Sequence, residues 1–206
     1  MGIKVIVVID YNVGNVKSVC NALAHIGCDV ELSSAPERLK KADGIILPGV
    51  AAFGYAMQQL GSLTELIKDL TMSGKVLLGI CVGHQLLFEQ SCEHGRHDGL
   101  GLVKGSVRPL PSEQTIPHMG WNSVHLSAEM ELFRGLRDEE YFYFAHSYYA
   151  EPTDSDVYVA YTDYGFRLPA AVQKGNIYGV QFHPEKSGKV GLNVLRNFEK
   201  ICRKVG

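Results

Sequence analysis

Through the first 80 residues, short apolar runs alternate with segments of helical spacing, and this alternation restricts the fold more than any other feature of the chain. Residues 4–9 form a continuous β-branched run, the pattern of a strand covered on both faces. A polar turn follows, Asp10-Tyr11-Asn12-Val13-Gly14-Asn15, after which Val16, Val19, Leu23 and Ile26 fall at helical spacing until Gly27. Residues 30–32 read as a second strand, 36–41 as a helical turn, 44–47 as a third strand, 60–70 as a helix and 76–80 as a fourth strand. Such alternation implies right-handed crossovers and a parallel sheet, whose ligand sites lie at the carboxyl ends of the strands. Asp10, the loop Pro48-Gly49-Val50-Ala51-Ala52-Phe53-Gly54 and Cys81 all fall at such ends.

Beyond residue 100 the rhythm changes. Residues 103–107, 141–144, 157–161, 170–174 and 177–181 are short strand candidates separated by turn signals such as Lys174-Gly175-Asn176. No linker or repeat separates them from the first half, so they are expected to add mixed or antiparallel strands to one α/β domain spanning residues 1–206. Residues 187–204 close the chain as an amphipathic helix with Val190, Val194, Leu195, Phe198 and Ile201 on one face. At 206 residues and 46% hydrophobic content, one large core is affordable. Lys+Arg 20 against Asp+Glu 22 leaves no electrostatic case for nucleic acid or an anionic membrane. Five cysteines without CxxC spacing argue for a reducing compartment, no apolar run is long enough for a signal peptide or membrane span, and a cytoplasmic protein is expected. No His/Cys/Asp spacing suggests a metal, and no cofactor is expected.

The fourth strand ends in Gly79-Ile80-Cys81-Val82-Gly83-His84-Gln85, with Gln85-Leu86-Leu87-Phe88-Glu89 reading as the first turns of a helix. Cys81 therefore sits at a sharp strand-to-helix turn, where side chains at positions 79 and 83 would collide and where a helix N-terminus favours a thiolate. A cysteine in an apolar neighbourhood is ordinarily inert, but the flanking glycines argue for a nucleophile elbow. A thiolate nucleophile needs a base and an orienting group. Of eight histidines, His94 and His97 lie in a charged stretch and His84 follows the elbow too closely to face back onto it. His183 comes directly after the last strand, and Glu185, two residues on, can reach around Pro184 to its other ring nitrogen. A histidine there is commonly structural; paired with Glu185 and an elbow cysteine, catalysis is the better reading.

These residues resemble the Cys-His-Glu triad of class I glutamine amidotransferases, which take ammonia from glutamine. Asp10-Tyr11-Asn12-Val13-Gly14-Asn15, His118-Met119-Gly120-Trp121-Asn122 and Phe144-Ala145-His146-Ser147-Tyr148-Tyr149 further resemble the glutaminase subunits of imidazole glycerol phosphate synthases. The resemblance implies that Cys81 attacks the glutamine amide, that His183 moves its proton and that Glu185 holds the imidazole. It implies an oxyanion hole from the amides of Val50 and Val82. It also implies substrate contacts at Gly49, Gln85, Glu93 and the backbone near Ser147 and Tyr148; without the family, Glu93 reads nearly as well as a solvated charge.

The implied partner is a cyclase subunit with a β/α barrel, forming a heterodimer that channels ammonia. Trp121, the only tryptophan, would seal the mouth with Asn12 and Lys186 nearby, against the alternative of a core aromatic. A redox module would not need His183 and Glu185, a cysteine peptidase has no use for Gln85 or the His118–Asn122 motif, and a glutaminase for vitamin B6 synthesis is the nearest rival. Ala51 departs from the resemblance, which has glycine there beside a switchable oxyanion loop. Alanine costs about 1 kcal/mol or more in the left-handed region. If the active loop uses φ > 0 at this position, Ala51 deepens dependence on the partner.

Overall fold

The computed structural model describes residues 5–205. Its elements in chain order are β1 (Val5–Ile9), α1 (Val16–His25), β2 (Asp29–Ser33), α2 (Pro36–Lys41), β3 (Gly44–Leu47), α3 (Phe53–Leu60), α4 (Leu63–Met72), β4 (Val76–Ile80) and α5 (Val82–Gln85). There follow β5 (Phe88–Ser91), β6 (His97–Asp98), β7 (Val103–Pro109), β8 (His118–His125), β9 (Glu139–His146), β10 (Tyr148–Pro152), β11 (Tyr158–Asp163), β12 (Arg167–Lys174), β13 (Ile177–Val180) and α6 (Gly188–Val205). Short 3-10 turns occupy Glu131–Phe133 and Pro184–Lys186. Lys4, expected to begin the first strand, lies outside the described residues.

The apolar runs become the centre of a nine-stranded sheet in the order β2-β1-β3-β4-β13-β12-β11-β8-β9. From β2 through β13 neighbouring strands run parallel, and from β13 outward they run antiparallel. β3 and β4 are buried along their whole length, as apolar runs covered on both faces should be. The closing helix α6 forms as expected and buries Val194, Leu195, Phe198, Ile201 and Cys202, while Asn197 ties it to the carbonyls of Leu132 and Arg134. No helix of the described residues is long and apolar enough to cross a membrane.

Two expectations fail at the element level. The segment after the elbow is not the start of a long helix: α5 ends at Gln85, and Phe88 opens a strand of a second, four-stranded sheet ordered β10-β7-β5-β6. The reason is competition for carbonyls. Those of Leu86, Leu87, Phe88 and Glu89, which a helix would use internally, accept instead from amides of residues 99–103, and Leu86, Leu87 and Phe88 are fully buried by that segment. The helix expected over 60–70 begins only at Leu63, as α4; Leu60 instead ends a separate helix, α3, which was not expected, and Gly61 with a φ of 48° breaks the chain between them.

The arrangement that matters for function is the pairing of β13 with β4. The two are parallel and in register, Gly179 opposite Gly79 and Val180 opposite Ile80, and the Cys81 amide donates to the Val180 carbonyl at 2.8 Å. Strands about a hundred residues apart in sequence therefore end side by side.

Candidate active site

At the end of β4 the backbone turns through Cys81 with φ 55° and ψ −111°, a conformation that L-residues hold only where the surroundings impose it. The turn depends on its flanking glycines. A Cβ on Gly83 would lie 1.8 Å from the Leu47 carbonyl oxygen, and one on Gly79 would lie 2.5 Å from that of Gly83. Cys81 is buried at the floor of a cleft of about 360 Å³. The cleft is walled by Val50, Val82, Gln85, Glu93, His146 and His183, among others.

His183 follows β13 and so arrives beside Cys81. Its Nδ1 pairs with Glu185 Oε1 at 2.8 Å, and both side chains are only 2% exposed. Burial pulls its pKa down, but hydrogen bonds to Cys81 and Glu185 and their charges outweigh this and raise it to about 9. The imidazole can thus carry a proton beside Cys81. The 3-10 turn Pro184–Lys186 carries Glu185 back toward the ring, and Ser187 Oγ locks that turn by donating to the His183 carbonyl at 2.6 Å.

The loop expected to supply an oxyanion donor lies against the elbow. The Val82 amide, one of the two expected donors, is taken: it donates to the Gly49 carbonyl at 3.2 Å. Tyr11 Oη donates to the Pro48 carbonyl and holds the loop from below. Burial, with the charge of Cys81 adding to it, pushes that phenol's pKa up, so it remains a donor. Val50 is 52% exposed at the mouth.

Glu93 is not a solvated charge. Its carboxylate accepts from the Phe53 amide at 2.6 Å, at the start of α3, which fixes it in the cleft wall. Gln85 donates through Nε2 to the Tyr148 carbonyl at 2.8 Å and to Gln181 Oε1 at 3.0 Å. Ser147 and Tyr148 line the cleft together with Glu93. Lys186 lies at its rim with Nζ 5.7 Å from the Tyr143 ring. Trp121 is no core aromatic: it is 57% exposed and meets Tyr143 edge-on at 6.1 Å. Asn12, exposed and with φ 61°, sits on the loop after β1, outside the residues that line the cleft.

Three participants escaped the sequence reading. Gln181, fully buried, sits between Gln85 and the nucleophile, its Nε2 3.9 Å from Cys81 Sγ. His146 lines the cleft and bonds His118 at 2.9 Å, and Tyr11 braces the oxyanion loop. Gln181 stands two residues before His183, so the strand-end position that marked the histidine could also have marked the glutamine.

Comparison with known proteins bears on this geometry. The family model for glutamine amidotransferase class-I matches residues 7–201. The chain is 49% identical over 198 residues to the imidazole glycerol phosphate synthase subunit HisH of Methanothermobacter thermautotrophicus, covering 96% of this chain and 99% of that one. With the same subunit of Bacillus subtilis it shares 46% over 203 residues, 95% of each chain. Among solved structures, that of PurLQS from Thermotoga maritima has a chain of the same fold, with TM-score 0.76, 21% identity and coverage of 97% of this chain and 99% of that one.

Proposed function

The chain belongs to the class I glutamine amidotransferase family, in its HisH branch, the glutaminase subunit of imidazole glycerol phosphate synthase in histidine biosynthesis, and we propose that Cys81, His183 and Glu185 are the triad by which its single domain, residues 1–206, releases ammonia. The observation that carries this reading is the in-register pairing of β4 and β13, which sets Cys81 beside a histidine already oriented by a buried carboxylate.

The thiolate of Cys81 adds to the side-chain amide carbon of glutamine, forming a C–S bond and a tetrahedral oxyanion. The proton held on His183 passes to the amide nitrogen as the C–N bond breaks and ammonia leaves. Water then attacks the thioester with His183 as base, and glutamate departs. The oxyanion needs two amides, those of Val50 and Val82, and each such donor is worth about 10²–10³ in rate. Because the Gly49 carbonyl engages Val82, the peptide between Gly49 and Val50 must turn before the hole can act. Gly49, Gln85, Glu93, Ser147 and Tyr148 would hold the substrate, with Glu93 facing its ammonium group.

The HisH relatives are subunits of a synthase, and the partner is a cyclase subunit. In our reading it is a β/α barrel docked over the cleft mouth, on Asn12, Trp121 and Lys186. Exposed Met119, Trp121 and Tyr141 on β8 and β9 support that placement. Five free thiols fit a reducing cytoplasm. The test is to incubate the protein with glutamine and measure glutamate, with and without the cyclase and its nucleotide ligand. Glutamate release that rises on adding the liganded cyclase is expected; no release under either condition would refute the reading.

A further inference from the structure

We infer that His118 and His146 form a neutral, polarised relay that positions the glutamine site, a role that rests on the glutaminase reading above and adds two positioning residues to it. The polarity is set from both ends. His146 Nδ1 lies 2.8 Å from the Tyr148 carbonyl, which can only accept, so Nδ1 carries the proton and Nε2 is left bare. His118 Nδ1, 2.9 Å from that bare nitrogen, must then be the donor. This leaves His118 Nε2 as an acceptor, and it faces Asn122 Nδ2 at 3.3 Å. The Asn122 amide cannot be turned around, because its Oδ1 accepts from the Ser123 amide at 2.9 Å and its Nδ2 donates to the Asp163 carbonyl at 2.9 Å. A proton added to either ring would set two N–H groups against each other.

The relay ends where the chemistry begins. The Tyr148 carbonyl that receives the His146 proton also accepts from Gln85 Nε2, whose second proton goes to Gln181 Oε1. That contact fixes the Gln181 amide so that its Nε2 faces Cys81 Sγ. A continuous network of hydrogen bonds, whose two branches both donate into the Tyr148 carbonyl, thus links Asn122, next to Trp121 on the exposed hairpin, to Cys81. The rings are held rigidly: His118 is stacked between Phe144 and Tyr164, with ring centroids 4.5 and 3.9 Å away, and both histidines are buried. Consistent with the geometry, burial lowers the pKa of His118 to about 4, and burial followed by the charge of His118 lowers that of His146 to about 3.

The relay has a spectroscopic signature that packing alone would not produce. In nitrogen-labelled protein, both rings should show the neutral Nδ1–H form at pH 7, with a nitrogen–nitrogen coupling across the His118–His146 bond; an Nε2–H or charged form of either ring would overturn the proposal. In the complex with the cyclase, His146→Phe should lower kcat/KM for glutamine by about tenfold, the scale of one or two buried hydrogen bonds. His146→Asn, whose amide nitrogen replaces Nδ1, should recover most of that loss. A folded His146→Phe with wild-type kcat/KM, or an Asn variant no better than Phe, would refute the role. Cys81→Ala tests the glutaminase reading separately, since the ring signature does not depend on the substrate.

Discussion

Ala51 is the residue at which a single methyl group is expected to set the subunit's dependence on its partner. Ala51 is absent from the described residues with positive φ, so alanine sits in this loop without strain, while the Gly49 carbonyl engages the Val82 amide. Any cost of alanine therefore falls on the turned loop. If turning takes position 51 into the left-handed region, glycine would remove a penalty of about 1 kcal/mol, or roughly fivefold in the population of the turned state. Ala51→Gly is expected to raise the glutaminase rate of the isolated subunit by about that factor; an unchanged or lower rate would count against the argument. At this scale the triad could be read from sequence because the elbow glycines and the two-residue spacing of His183 and Glu185 are local signals. His146 and Tyr11 could not, because their bonds to His118 and to the Pro48 carbonyl span 28 and 37 residues, and of Gln181 only the strand-end position was legible, its contact with Cys81 lying 100 residues away.

The β8–β9 hairpin is the element on which the proposed partner surface and the proposed relay meet. In its antiparallel register Trp121 lies opposite Tyr143 and Ser123 opposite Tyr141, so the aromatic residues share the outward face, while His118 and Asn122 point to the relay. Trp121 is 57% exposed and Met119 65%, a patch that a partner would cover. Trp121→Ala is expected to weaken binding to the cyclase by about 2 kcal/mol or more, close to thirtyfold, when titrated calorimetrically. Unchanged affinity would place the interface elsewhere. Parallel strands β3, β4 and β13 were legible because each is a short apolar run buried on both faces. β5, β8 and β10 were not: their burial alternates, glycine and polar residues interrupt them, and β5 begins in an apolar stretch that reads equally well as helix.

At the scale of the whole molecule, the site is the place where two sheets and four buried histidines are brought together. His84, fully buried behind the elbow with no hydrogen-bond partner among the described residues, has its pKa lowered by burial to about 3. With His118 at about 4 and His146 at about 3, the fold holds three imidazoles neutral that the unfolded chain would protonate below about 6.5. Their contribution to stability is therefore complete above that pH and is lost as pH falls toward 4. His183, raised to about 9, works the other way: its contribution is present below about 6.5 and is lost as pH rises through 9. Denaturant titrations between pH 6.5 and 5 are expected to show unfolding that takes up as many as about three protons; a pH-independent midpoint would show that these rings are already charged in the fold. The same assembly of distant segments carries the proposed chemistry, since the residues that follow β4 and β13 are Cys81, the proposed nucleophile, and His183, the proposed base. The most direct measurement compares wild type with Cys81→Ala in the cyclase complex, supplied first with glutamine and then with free ammonia. Loss of the glutamine-dependent synthesis with the ammonia-dependent synthesis intact is the expected result, and loss of both, or of neither, would contradict the account.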